Sequence, residues 1–156
     1  TAPVGGGSVA GTTGRGLPME ALEAQLGWYG HSGSIELRGH VSNVGWQQWS
    51  AGHCGTTGKS QRLEAVQIRL TGEAAEKYDV WYCAHVSGIG WLDWACNGAA
   101  AGSAGKGKAI EAVKGILSPI DDPLEEFQFR FLHILSVLTT RLFIRRTRCE
   151  KDLTEA

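Results

Sequence analysis

Three kinds of side chain able to do chemistry recur at matched positions in this chain. They are the histidines His40 and His85, the glutamates Glu20, Glu64 and Glu111, and the tryptophan pairs Trp46/Trp49 and Trp91/Trp94. Imidazole and carboxylate together suggest acid–base or metal chemistry, and paired indoles suggest flat contact with a ring. Acid–base catalysis, however, needs two groups in different environments. Three glutamates in repeated surroundings offer one environment copied three times. A metal site wants several ligands converging. The sequence shows no His-x-x-x-His pair, no Ser-His-Asp pattern, and no CxxC among Cys54, Cys83, Cys96 and Cys149. Gly58-Lys59-Ser60 resembles the end of a phosphate loop, but His53 stands where that loop needs its first glycine, and strand-like alternation follows. No catalytic residue, metal or cofactor is expected. His40 and His85 are expected to hydrogen-bond at a sheet surface.

These residues are positioned by an internal repeat. Gly11-Thr12-Thr13-Gly14 recurs as Gly55-Thr56-Thr57-Gly58 and as Gly102-Ser103-Ala104-Gly105, each followed nine residues on by Glu-Ala: Glu20-Ala21, Glu64-Ala65, Glu111-Ala112. A second block, His-Val-x-x-x-Gly-Trp-x-x-Trp, runs from His40 to Trp49 and again from His85 to Trp94. Copies at a fixed period share one core that none can build alone.

Period-two alternation predicts strands. Ile35, Leu37, Gly39 and Val41 share one phase, as do Val80, Tyr82, Ala84 and Val86, which puts His40 and His85 on the opposite, outer face. Val66, Ile68 and Leu70 share a phase with Glu64; Leu22, Ala24 and Leu26 with Glu20; Val113, Gly115 and Leu117 with Glu111. Each copy thus places a carboxylate on the inward phase at the start of a strand. Such a group is costly unless hydrogen-bonded. The expected partners are backbone amides of a Gly-Thr turn or an indole N–H. The turns themselves use glycine for positive φ and a hydroxyl for local backbone bonds.

Trp46 and Trp49 are three residues apart, so in a regular strand they face opposite ways, as do Trp91 and Trp94. Two roles are open. Both tryptophans of a pair fill space where repeats meet, or one of each pair is a platform for a sugar ring or another partner. Cys83 and Cys96 flank the third copy's block. If that block turns near Ser87–Gly90 they face each other, and either a cross-strand disulfide or two unrelated thiols results.

The bulk properties fit this picture. The 156 residues suffice for one domain with a real core. Fifteen basic and 16 acidic residues leave a net charge of −1, which offers no electrostatic footprint for nucleic acid. Glycine, at 22 residues, is about twice its usual ~7% share, which suits short strands and tight turns. No apolar run reaches the ~18 residues of a membrane span. There is no initiating Met and no signal peptide, so the chain reads as a processed form, an excised piece or an internal fragment.

The blocks His40-Val41-x-x-x-Gly45-Trp46, Gly55-Thr56-Thr57-Gly58 and Arg62-Leu63-Glu64-Ala65-Val66-x-Ile68-x-Leu70, with their counterparts at His85-Val86, Gly90-Trp91, Asn97-Gly98, Gly102–Gly105 and Ile110-Glu111-Ala112, resemble the ChW repeats. These are clostridial hydrophobic repeats with a Trp in a Gly-Trp pair. The resemblance covers two and a half copies, 9–26, 34–70 and 79–117. It implies an extracellular or cell-surface protein of Gram-positive bacteria, whose repeats serve binding or adhesion rather than catalysis.

After Ser118-Pro119 glycine vanishes. Asp122 as N-cap, Pro123 at the first helical position and a stripe of Phe127, Phe131, Ile134, Leu135, Leu138 and Leu142 predict a helix. It is either an adventitious tail or a helix for a membrane surface or a partner.

The chain is therefore expected to comprise a repeat domain over 1–118 and a helical tail over 119–156. The fold class is all-β: antiparallel strands in repeats with pseudo-threefold character, nearer a β-prism or β-trefoil than a sandwich, plus the C-terminal helix. The expected function is a non-catalytic extracellular or cell-surface module binding a glycan, a cell-wall polymer or a surface protein through Trp46, Trp49, Trp91, Trp94, His40 and His85. The alternative is a protein–protein interaction or spacer module of a larger secreted protein. An enzyme built on the histidines or glutamates comes last.

Overall fold

The computed structural model describes residues 5–27 and 30–120. The helix expected after Pro119, and Trp28, fall outside the described residues. What is described is all-β and antiparallel, with one short helix.

The alternating segments of the second and third copies form the strands their patterns predict, whereas in the first copy only Ala21–Glu23 of the run from Glu20 to Leu26 does. β1 is Ala10–Gly11, β2 Ala21–Glu23, β3 Ile35–Val41, β4 Gly45–Trp46, β5 Ser50–Ala51, β6 His53–Gly55 and β7 Leu63–Leu70. The helix α1, Glu73–Lys77, follows and was not foreseen. It buries Ala74, and its five residues connect β7 to β8, Tyr78–Val86. β9 is Gly90–Trp91, β10 Ala95–Cys96, β11 Ala101–Gly102 and β12 Ile110–Pro119.

Two long pairs dominate. β3 lies on β7 with Leu37 opposite Ile68 and Gly39 opposite Val66. β8 lies on β12 with Val80 opposite Leu117 and Ala84 opposite Val113. Partners directly opposite share a face, so the apolar phases meet in a common core. Leu37, Val41, Leu63, Val66, Tyr82, Val86 and Ile110 are all fully buried in it.

The copies are tied to one another in a cycle. Gly11 of β1 pairs with Ala112 of β12, Gly55 of β6 with Ala21 of β2, and Gly102 of β11 with Ala65 of β7. The first copy thus pairs with the third, the second with the first, and the third with the second. The next residue repeats one bond each time: Thr12 N–H to Glu111 O (3.1 Å), Thr56 N–H to Glu20 O (2.8 Å) and Ser103 N–H to Glu64 O (2.7 Å). Glycine is required at these crossings. With φ of +107°, +93° and +130°, a Cβ there would come within 2.4 Å of the facing Glu carbonyl oxygen. The Gly-x-x-Gly and Glu-Ala motifs are two halves of one inter-copy contact.

The first copy differs. β2 pairs with β6 alone, whereas β7 and β12 are each paired on both edges among the described residues.

One open alternative is closed and one expectation is corrected. Cys83 is a free, buried thiol, so no Cys83–Cys96 disulfide forms. β10 pairs with β8 so that Cys96 stands opposite Trp81, leaving Cys83 a diagonal neighbour. Diagonal positions lie about 7–8 Å apart, beyond the usual reach of a disulfide. Trp46 and Trp49 do not face opposite ways either. β4 ends at Trp46, and Gln47 turns aside: its N–H bonds Gly39 O (2.9 Å), while its side-chain amide accepts from Gly55 N–H (2.7 Å) and donates to Gly55 O (3.1 Å). With the strand interrupted there, Trp49 comes back to the same side as Trp46.

Candidate functional site

The outer face carries two equivalent clusters. In the second copy, His40 is brought beside Glu64 by a bulge. His40 is opposite Ala65 and Val41 is opposite Leu63, so Glu64 is the extra residue. A bulge re-aims a side chain that regular pairing would send inward. Glu64 Oε2 lies 3.3 Å from His40 Nδ1 and accepts the Gly105 N–H at 3.0 Å. Arg62 Nη2 approaches Glu64 Oε1 at 3.6 Å. The third copy repeats the arrangement. Glu111 is the bulged residue between Ile110 and Ala112, with Oε2 3.1 Å from His85 Nδ1 and accepting the Gly14 N–H at 3.2 Å.

The bulges correct the expected inward placement of Glu64 and Glu111, which turn to the histidine side, but the expected partner, a turn amide, is found for both, and both are buried. The turn hydroxyls bond locally as expected: Ser103 Oγ to Lys108 O (3.1 Å) and Thr56 Oγ1 to Gln61 O (3.5 Å). Glu20 is half-exposed and makes no such bond among the described residues. The imidazole–carboxylate contacts are close in distance, yet both Nδ1 atoms are buried with no properly directed hydrogen bond.

Each histidine in turn holds an indole edge-on. His40 and Trp46 have ring centroids 5.4 Å apart at 83°, and His85 and Trp91 5.4 Å apart at 80°. This is a favoured aromatic geometry. The indoles so held are exposed, Trp46 at 37% and Trp91 at 38%; of their companions, Trp94 is exposed at 46% and Trp49 is half-buried. Trp49 lies nearest a junction between copies, where a Cβ on Gly98 would stand 3.9 Å from its ring.

Sequence reasoning missed the cations among these rings. Arg38 Cζ lies 5.3 Å from the Trp46 centroid and 4.8 Å from that of Trp49, and Arg69 Cζ lies 4.2 Å from Trp49. Lys114 Nζ lies 4.6 Å from Trp91 and 5.3 Å from Trp94. Cation–ring contacts of this kind occur within ~6 Å. Arg38 shares the outer phase of His40, which was the available signal.

Chemically, the clusters offer flat apolar surface, N–H donors and positive charge. Among the described residues no group of three or more His, Cys, Asp or Glu is arranged to hold a metal. Two cavities, of about 250 and 380 Å³, are lined by Leu26, Leu70, Tyr78 and Leu117 in the one case and by Arg62, Lys108 and Glu111 in the other. His40 and His85 line neither. No described helix is long and apolar enough to cross a membrane.

Fold and clusters define an all-β protein of internal repeats that lend one another their strands. The chain belongs to the ChW (Clostridial hydrophobic W) family, whose model matches it three times, over residues 1–28, 40–72 and 85–115. No curated protein and no solved structure matches it.

Proposed function

We propose that this is a non-catalytic carbohydrate-binding module acting outside the cell or on its surface, with Trp46 and Trp91 as sugar platforms. The observation that carries the reading is the exposure of two indoles at equivalent positions, each fixed edge-on by a half-buried histidine. An exposed indole free to rotate loses entropy when a ligand pins it; one already held loses less. Trp49 and Trp94 extend each platform, and His40 and His85 act by positioning the rings. The cyclic pairing of copies supports a pseudo-threefold, β-prism- or β-trefoil-like arrangement, which would present the platforms at equivalent sites for a repeating polymer. The extracellular setting rests on the family resemblance.

The test is binding to a glycan array, followed by calorimetry on the hits, for wild type, Trp46→Ala and Trp91→Ala. Each variant is first checked for native circular dichroism. Loss of a platform is expected to weaken binding up to about tenfold per site. Unchanged affinity in folded variants sinks the platform role.

A protein-binding surface is the second reading. The third copy's outer face favours it, since Trp94, Trp91 and Ile116 (39% exposed) all lie on it and Ile89 (53%) adjoins it.

A further inference from the structure

The two tryptophan faces share a plan but differ in charge. We infer that the second copy's face binds an anionic carbohydrate, with the sugar ring against Trp46 and a carboxylate or phosphate on Arg38. This rests on the carbohydrate reading above and specifies its ligand.

Arg38 is built into place. Its Nε donates to Gln67 Oε1 at 2.5 Å, and Gln67 Nε2 donates to Gly98 O at 2.6 Å, so the guanidinium is tied to the backbone of the third copy. Its Cζ lies within 5.3 Å of both indole centroids. The neighbouring Arg69 is neutralised by Glu36, Nη2 to Oε2 at 2.7 Å. Arg38 has no carboxylate partner among the described residues. Its Nε is engaged by a neutral amide, which leaves the terminal nitrogens of the fork without a partner there. A planar fork held by one edge, with its charge uncompensated, is suited to two parallel bonds to a carboxylate or phosphate. The indole beside it supplies the apolar contact for the ring carrying that group.

The third copy shows that this feature is not simply a by-product of the repeat. Cys83, buried at 2%, occupies the place of Arg38, and Trp81 that of Glu36. Lys114 stands where Gln67 does, and Ile116 where Arg69 does. Lys114 is a point charge without the fork. The anion preference therefore belongs to the second copy.

The probes are an oligogalacturonate, the same oligomer fully methyl-esterified and thus neutral, and a glycerol-phosphate oligomer, each titrated by calorimetry at low and high NaCl. The charged uronate is expected to bind about tenfold more tightly than its ester, as for a charge-assisted bond, with the advantage shrinking at high salt. Arg38→Gln should abolish the advantage, Arg38→Lys should restore part of it, and Lys114→Gln should leave it intact. The phosphate oligomer, read the same way, decides which anion fits better. Equal affinity for acid and ester in wild type, or an advantage that survives Arg38→Gln, overturns the inference while the carbohydrate reading stands. Absence of binding to every saccharide, charged or neutral, removes both.

Discussion

Glu64 of the second copy accepts the amide of Gly105 in the third copy at 3.0 Å, and the same oxygen lies 3.3 Å from His40. One buried carboxylate thereby joins two copies and touches the histidine that holds the exposed Trp46. Stability and ligand surface meet at this atom.

Removing that carboxylate should be costly. Glu64→Ala removes a buried carboxylate and the part-buried bond it accepts from Gly105 N–H, and is expected to destabilise the domain by about 1.5–3 kcal/mol, as for a hydrogen bond to a charged group. Glu111→Ala should behave alike, through Gly14. Glu20→Ala, at a half-exposed position without the turn bond, should cost less than about 1 kcal/mol. Urea denaturation of the three variants checks the order, and a Glu20 variant as damaged as the others contradicts it.

The inter-copy crossings predict a contrast between two glycines of one turn. At Gly102 a Cβ would lie 2.4 Å from Glu64 O, at φ +130°, whereas at Gly105, φ +70°, it meets open space. Gly102→Ala should cost more than the ~1–3 kcal/mol of backbone strain alone, because the facing backbone must also move. Gly105→Asn, a residue that tolerates the left-handed region, should stay within about 1 kcal/mol of wild type. Thermal melts of the two variants provide the comparison.

Alkaline pH should weaken the fold. Burial pushes the Cys54 thiol from 9.0 up to about 12 and the Tyr82 phenol from 10.0 up to about 12. Tyr82 is enclosed, accepting the Ile68 N–H at 3.0 Å and donating to Ala99 O. Both groups stay neutral in the folded chain and ionise more easily once unfolded. Their contribution is whole below about pH 9 and is lost as the pH climbs towards 12. Denaturant midpoints measured from pH 8 to pH 11 should fall progressively, and Cys54→Ala should flatten the part of the decline that begins near pH 9. A flat profile in wild type would count against the burial of these groups.

Much of this was legible in the residues. Period-two alternation marked Ile35–Val41 and Val80–Val86 as strands with His40 and His85 outside, because which face a strand residue takes is a local count. The need of Glu64 and Glu111 for turn amides was also legible, because an ionised group out of water requires partners wherever it sits. The short helix at Glu73–Lys77 was not foreseen. Its one buried residue, Ala74, has meaning only against the strands around it.

By counting alone, Glu64 and His40 fall on opposite phases and should never meet. One extra residue in β7 reverses that count, and the bulge is defined only when β3 is laid beside it. The approach of Arg38 to Trp46 and Trp49 likewise depends on the chain leaving β4 at Gln47, a turn imposed by bonds to Gly39 and Gly55. The amino-acid order on its own determined the repeat, the strands and their faces, since these follow from short-range periodicity. Only the tertiary structure decided which copy caps which, and which cation meets which indole, since those depend on register between segments tens of residues apart.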